Sequence, residues 1–171
     1  MAKMLKDGKS ADFLFEADQK VQGIVRNILS DIRERGEEAV RELSVRFDNW
    51  NPESFKLSDE EIKAVIDSLP QQTIDDLKFA QDQVRNFAQH QRAALQDIEV
   101  ETLPGVILGH KNIPINSVGC YVPGGRYPMI ASAHRSVLTA SVAGVKRIIA
   151  STPPINGELP KETIAAMHFG G

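Results

Sequence analysis

Apolar side chains in the first part of the chain lie three and four positions apart, the spacing of an amphipathic helix. Between residues 18 and 35 they are Val21, Ile24, Val25, Ile28, Leu29 and Ile32. Gly36 interrupts this stripe, and residues 37–47 resume it with Glu37 and Glu38 where the positive end of a helix dipole favours acidic groups. The pattern predicts two consecutive helices.

Two further helices are predicted before residue 97. Ser58 and Glu61 have the spacing of a capping box, in which each side chain accepts a hydrogen bond from the other residue's backbone amide. Pro70 is expected to end the helix that follows, because proline cannot donate the backbone hydrogen bond of a helix interior. A weaker start signal at Thr73 opens a long, glutamine-rich helical segment that runs to Leu95.

After Asp97 the apolar spacing changes from helical to alternating, which is typical of short strands. Strands are predicted at residues 98–102, 106–108 and 113–115, the first two joined by a Leu-Pro-Gly turn. Residues 118–122 and 146–151 read as buried strands. Between them lie a turn of Pro123, Gly124 and Gly125 and an apolar helix at residues 132–143, and a last helix follows Pro160.

Strand, Gly-rich turn, helix and strand form the order of a βαβ unit, in which the strands are parallel and the crossover is right-handed. The fold class predicted is therefore α/β, with amphipathic helices first, then short strands, then a βαβ unit. Ligands of such sheets bind at the carboxyl ends of the strands, where Tyr121, Gly124 and Gly125 are expected. Glycines allow close backbone approach, a helix start offers amides to an anion, and Tyr121 can stack on a flat ring.

The Gly-rich turn does not match the dinucleotide fingerprint, which has three glycines at fixed spacing and a later acidic residue. From spacing alone, a tight turn between a strand and a helix explains it better. His90, His110 and His134 have no partner at zinc-ligand spacing, and Cys120 reads as a small buried hydrophobe. No nucleophile, base and oxyanion hole can be assembled from the pattern.

Composition refines this picture. The chain has 171 residues, 42% of them apolar, and carries 20 Lys plus Arg against 23 Asp plus Glu. The excess of basic over acidic residues after residue 101 is too small for a nucleic-acid surface and fits a small anionic ligand better. No apolar run approaches a membrane span, the N-terminus lacks a signal-peptide segment, and Cys120 has no partner for a disulfide. A cytoplasmic protein without membrane or nucleic-acid partners is expected.

Several motifs in combination resemble the histidinol dehydrogenase family. They are VGCYVPGG at residues 118–125, ASVAGVK at 140–146, ASTPP at 150–154, DIRERGEEAVREL at 31–43 and EVETLPG at 99–105. HKNIPIN at 110–116 and GRYPMIASAH at 125–134 look closest to its sulfopropanediol dehydrogenase branch. The resemblance covers nearly the whole chain.

The resemblance implies an NAD-dependent enzyme, usually with bound zinc, that works as a homodimer. It would oxidise a primary alcohol, sulfopropanediol or histidinol, through an aldehyde to a carboxylate. The family's Gly-x-Tyr-x-Pro-Gly-Gly tyrosine contacts NAD and matches Tyr121, so Tyr121, Gly124 and Gly125 are the expected cofactor-binding residues. No catalytic or metal residue is assigned, because the family's zinc ligands and catalytic Glu-His pair lie farther along its sequence.

On this basis residues 1–116 are expected to form a helical region with short strands. Residues 117–171 are expected to begin a truncated Rossmann-like NAD-binding domain with an incomplete parallel sheet. The chain would then be the N-terminal part of such an enzyme, inactive alone. The alternative from another class is a non-catalytic binding or dimerisation module, because the helices are amphipathic and no catalytic set is found.

Overall fold

A computed structural model of the protein describes residues 11–124 and 127–171. Its helices are α1 (Ala11–Arg35), α2 (Glu37–Asp48), α3 (Asp59–Asp67), α4 (Gln71–Ala94), α5 (Ile130–Ala133), α6 (Thr139–Val142) and α7 (Lys161–Gly170). A π-helical turn, His134–Leu138, joins α5 to α6. The strands are β1 (Ile98–Leu103), β2 (Val106–His110), β3 (Ser117–Tyr121) and β4 (Arg147–Ser151). The α/β fold class is confirmed.

The chain divides into two compact units, of which the first ends at Asn51 and the second runs Pro52–Gly171. In the first unit the two predicted helices form, and α1 packs against α2. Gly36 adopts a positive φ of 62° that lets the chain turn between the helices. Arg35 joins them, since its guanidinium bonds to Asp31 on α1 at 2.7 Å and to Glu42 on α2 at 2.8 Å.

In the second unit the predicted capping box forms at the start of α3. Ser58 Oγ accepts from the backbone amide of Glu61 at 3.1 Å, and Glu61 Oε2 accepts from the amide of Ser58 at 2.7 Å. Helix α3 ends before Pro70, also as predicted. Helix α4 begins directly after Pro70 rather than at the weaker signal around Thr73, because a proline at a helix start loses no helical hydrogen bond.

Strands β1 and β2 form an antiparallel hairpin that turns at Gly105, whose φ is 81°. The strand predicted at residues 113–115 does not form, and that prediction is wrong. Asn112 is instead tied to the base of the hairpin, donating from its backbone amide to Asp97 Oδ1 at 2.8 Å, and Pro114 has no amide to donate to a ladder.

Strands β3 and β4 pair in parallel and in register, from Ser117 with Arg147 to Tyr121 with Ser151, and α5, the π-helical turn and α6 lie between them in sequence. The predicted βαβ order is therefore confirmed. The expectation that both strands are buried is wrong, because alternate side chains such as Tyr121 and Ile149 are exposed. Helices cover one face of this two-stranded sheet and leave the other open.

The core of the second unit joins its helices to the end of β3. Its buried members are Leu69, Leu77, Val122, Ala133, Ala165 and Ala166. Helices α3 and α4 thus share one core with the βαβ segment. The boundary between the two compact units lies after Asn51. The assignment of separate roles to residues 1–116 and 117–171 stays a prediction. None of the described helices combines the length and apolar character needed to cross a membrane.

Candidate functional site

Tyr121 is the last residue of β3 and lies beside Ser151, the last residue of β4. Side chains of a strand alternate between faces, so burial of Cys120 in the helix-covered face turns Tyr121 to the open one. The Tyr121 side chain is 65% exposed. The sequence-predicted residue therefore presents a free aromatic ring at the carboxyl edge of the parallel pair, where it can stack on a flat ligand ring.

Gly124 lies against the segment that follows β4. A Cβ atom at Gly124 would lie 2.8 Å from Pro153 Cγ, a distance that real Cβ atoms do not reach. The backbone amide of Val122 also donates to Ser151 O at 2.8 Å, which ties the two strand ends together. A glycine at position 124 is thus required for the turn to pack on Pro153. The contact of Gly124 with a dinucleotide stays a prediction.

Gly125, the third predicted cofactor-binding residue, lies outside the described residues, as does Arg126. Tyr127 follows them and is exposed. The structure therefore brings Tyr121 and Gly124 to one edge of the sheet, next to Ser151 and Pro153. Ser151 and Pro153 belong to the ASTPP motif at residues 150–154 but were not predicted as site residues, since only parallel pairing of β3 with β4 places them there.

The helix after the Gly-rich turn contains the π-helical turn, a feature often found near functional sites. Ser136 Oγ donates to the carbonyl of Ser132 at 2.7 Å, and Thr139 Oγ1 bonds to the carbonyl of Arg135. These side chains satisfy backbone carbonyls where the helical hydrogen-bond ladder shifts.

His134 opens the π-helical turn and is only 7% exposed. Its Nδ1 lies 3.1 Å from Nε2 of Gln81 on α4, and the same Gln81 nitrogen donates to the carbonyl of Ala166 on α7 at 2.7 Å. Burial lowers the pKa of the His134 imidazole. The sequence did not single out this cluster, because Gln81 is 53 positions from His134 and carries no motif.

A zinc ion does not fit the side chains that the structure describes. Within residues 11–124 and 127–171, no group of three or more His, Cys, Asp or Glu side chains is placed to hold a metal. Cys120 is a buried free thiol on the helix-covered face of β3. Asp97, whose pKa is lowered by the hydrogen bonds that Asn112 donates, serves to close the β1–β2 hairpin.

Comparison with known proteins adds to this geometry. The family model described as histidinol dehydrogenase matches residues 15–171. A protein called histidinol dehydrogenase homolog, from Shouchella clausii, is 60% identical over the whole chain, which covers 40% of that protein. Sulfopropanediol 3-dehydrogenase from Ruegeria pomeroyi is 46% identical over 150 residues, covering 87% of this chain and 34% of that protein.

A solved structure is also similar. The crystal structure of histidinol dehydrogenase from Elizabethkingia anophelis superposes with a TM-score of 0.81 at 22% identity, covering 99% of this chain and 36% of that one. At that identity the likeness shows the fold alone. The chain spans 40% or less of the length of each of these three proteins.

Proposed function

Because the chain belongs to the histidinol dehydrogenase family, we propose that it works as part of a zinc-containing, NAD-dependent dehydrogenase. This enzyme oxidises a primary alcohol through the aldehyde to a carboxylate. Within this enzyme, the share of the function that we assign to the described residues is binding of the dinucleotide, with Tyr121 and Gly124 at the carboxyl edge of β3 and β4. The single observation that supports this share is the exposed ring of Tyr121 at that edge.

NAD would supply the hydride acceptor of the reaction. Tyr121 would stack on a flat ring of the dinucleotide and fix its orientation, while Gly124 would hold the turn on Pro153 so that the binding edge keeps its shape. Since the described residues do not fit a zinc ion, no step of the chemistry is assigned to them. The chain by itself is therefore not expected to turn over an alcohol.

Sulfopropanediol is the preferred candidate substrate, and histidinol is the second. Sulfopropanediol 3-dehydrogenase is 46% identical to this chain, whereas the histidinol dehydrogenase of Methanosarcina barkeri is 34% identical. A small alcohol bearing an anionic sulfonate also fits the basic excess of the segment after residue 101. The cytoplasm, where NAD and a reduced Cys120 would both be found, is the proposed compartment.

Titration of the purified chain with NAD tests the proposed role of Tyr121. Stacking of a base on an aromatic side chain is worth about 1–3 kcal/mol, so Tyr121→Ala should weaken NAD binding by roughly 5-fold to 150-fold. Fluorescence or calorimetric titration would measure the change. Phe79→Ala is the matched control, because Phe79 is an equally exposed aromatic residue on α4, away from the sheet edge.

Two outcomes would contradict this proposal. One is a folded wild-type chain that does not bind NAD at millimolar concentration. The other is equal loss of NAD binding in the Tyr121 and Phe79 variants, which would place the ligand elsewhere.

A second candidate function is a non-catalytic dimerisation module, and one observation favours an assembly role. Along α1, Val21, Val25 and Leu29 form an apolar stripe that α2 does not cover. We propose that this stripe forms the contact of a homodimer, whether or not the chain is part of a dehydrogenase. A chain that forms a folded dimer but does not bind NAD would favour the module.

A further inference from the structure

His134 joins three helical elements at one buried point. It belongs to the helix that follows the Gly-rich turn, and it contacts Gln81 of α4, which in turn contacts Ala166 of α7. Gln81 is only 3% exposed, so neither partner of this hydrogen bond can turn to water instead. The cluster therefore connects the helix after the candidate site to the rest of the second unit.

The direction of the hydrogen bonds follows from the carbonyl of Ala166, which can only accept. The Gln81 atom 2.7 Å from that carbonyl must be the amide nitrogen, since an amide oxygen there would face another oxygen. The second hydrogen of the same nitrogen then points to His134 Nδ1, which must accept it through a lone pair. His134 is consequently neutral, with its proton on Nε2.

We propose that His134 is a protonation-sensitive lock, whose neutral ring fastens the helix after the Gly-rich turn to α4 and α7 through Gln81. A proton on Nδ1 would face the N–H of Gln81, so two donors would meet where one hydrogen bond had been. Gln81 cannot reverse its amide without placing its oxygen against the Ala166 carbonyl. Protonation therefore breaks the hydrogen bond between Gln81 and His134 and leaves a charged ring in a buried position.

The charged and titratable groups around the π-helical turn do not compensate such a proton. Those on the packed elements are Lys78, Asp82 and Arg85 on α4 near Gln81, Lys161, Glu162 and His168 on α7, Cys120 and Tyr121 on β3, and the neighbouring Arg135. Lys78 and Arg85 are engaged with Phe169, through its ring and its carbonyl respectively. Burial alone accounts for the lowered pKa of His134, with no acidic partner acting on it.

The sign of the pH dependence follows from the lowered pKa in the folded chain. The unfolded chain has an ordinary histidine pKa of about 6.5, so it binds the proton first as the pH falls. The stabilisation from neutral His134 is fully present above that pKa and is lost as the pH falls towards the folded-state pKa. Between pH 7.5 and 5.5 this one group lowers the folding equilibrium constant by up to about tenfold.

Urea unfolding of the full chain at pH 7.5 and 5.5 tests the lock with His134→Asn. The asparagine Oδ1 takes the position of Nδ1 and accepts from Gln81, but it does not titrate. We expect the folding constant of the wild type to fall up to about tenfold further between these pH values than that of His134→Asn. His168→Asn, an exposed histidine on α7, is the matched control and should keep the wild-type pH dependence.

A second measurement uses the wild-type chain alone and does not depend on NAD binding or on how well the variant folds. Nitrogen-15 NMR of the imidazoles should show His134 as the tautomer protonated on Nε2, with its titration below the ordinary histidine pKa of about 6.5. Titration of His134 at or above the ordinary histidine pKa of about 6.5 would overturn the proposal. Equal pH dependence of the wild type and His134→Asn would overturn it as well.

Discussion

At the scale of single residues, the sequence placed Tyr121 at the end of a strand but could not supply its surroundings. The turn that follows β3 is a local signal, so it places Tyr121 at the end of a strand, whereas the predicted burial of that strand was wrong for Tyr121. The contact of Gly124 with Pro153 and that of His134 with Gln81 each join segments far apart in sequence. Such contacts depend on tertiary packing, which periodicity and spacing along the sequence do not predict.

Gly124→Ala tests the packing reason for that glycine. Its new Cβ would meet the ring of Pro153 at 2.8 Å, and the stiff proline ring cannot move aside cheaply. Overpacking of this kind costs about 1–3 kcal/mol, so the free energy of unfolding in urea should fall by that amount. Gly119→Ala on β3 is the control, because a Cβ there meets nothing within 4 Å. Similar stabilities of the two variants would contradict the packing explanation.

At the scale of elements, helices were predictable where their periodicity is long and their caps are explicit. The box of Ser58 and Glu61 is an example, since it marks the start of α3 from two residues. The predicted strand at residues 113–115 was wrong because the bonds of Asn112 and the missing amide of Pro114 outweighed alternation. The π-helical turn was not foreseen, because one shifted turn hardly changes the apolar stripe of a helix.

The capping box allows a test confined to α3. Ser58→Ala removes the oxygen that accepts from the amide of Glu61, so it should lower the free energy of unfolding by about 1 kcal/mol. Ser58→Thr keeps an acceptor oxygen and should retain most of that stability. Urea unfolding followed by circular dichroism would measure both variants. A threonine variant as unstable as the alanine variant would mean that α3 does not rely on this cap.

At the scale of the whole molecule, the fold exposes apolar surface on several elements. The open face of β3 and β4 carries Tyr121 and Ile149, and α1 carries Val21, Val25 and Leu29. Sequence periodicity predicted the apolar stripe of α1 but could not show whether the chain itself covers it, and it gave no sign of the open face of β3 and β4. The α1 stripe is the best candidate for a symmetric contact, because one face of one helix can pair with its own copy about a two-fold axis.

Val25→Glu tests this proposed homodimer. Val25 lies in the middle of the α1 stripe and is 47% exposed, so a glutamate there should leave the helix intact while placing two like charges in the contact. Sedimentation velocity should show the wild type as a dimer and the variant shifted to monomer. Asn27→Glu adds the same charge about 200° around the helix, on the opposite face, and should leave the dimer unchanged. If the wild type sediments as a monomer at tens of micromolar, or if both variants dissociate equally, the α1 stripe is not the contact. The exposed face of β3 and β4 would then be the next surface to test.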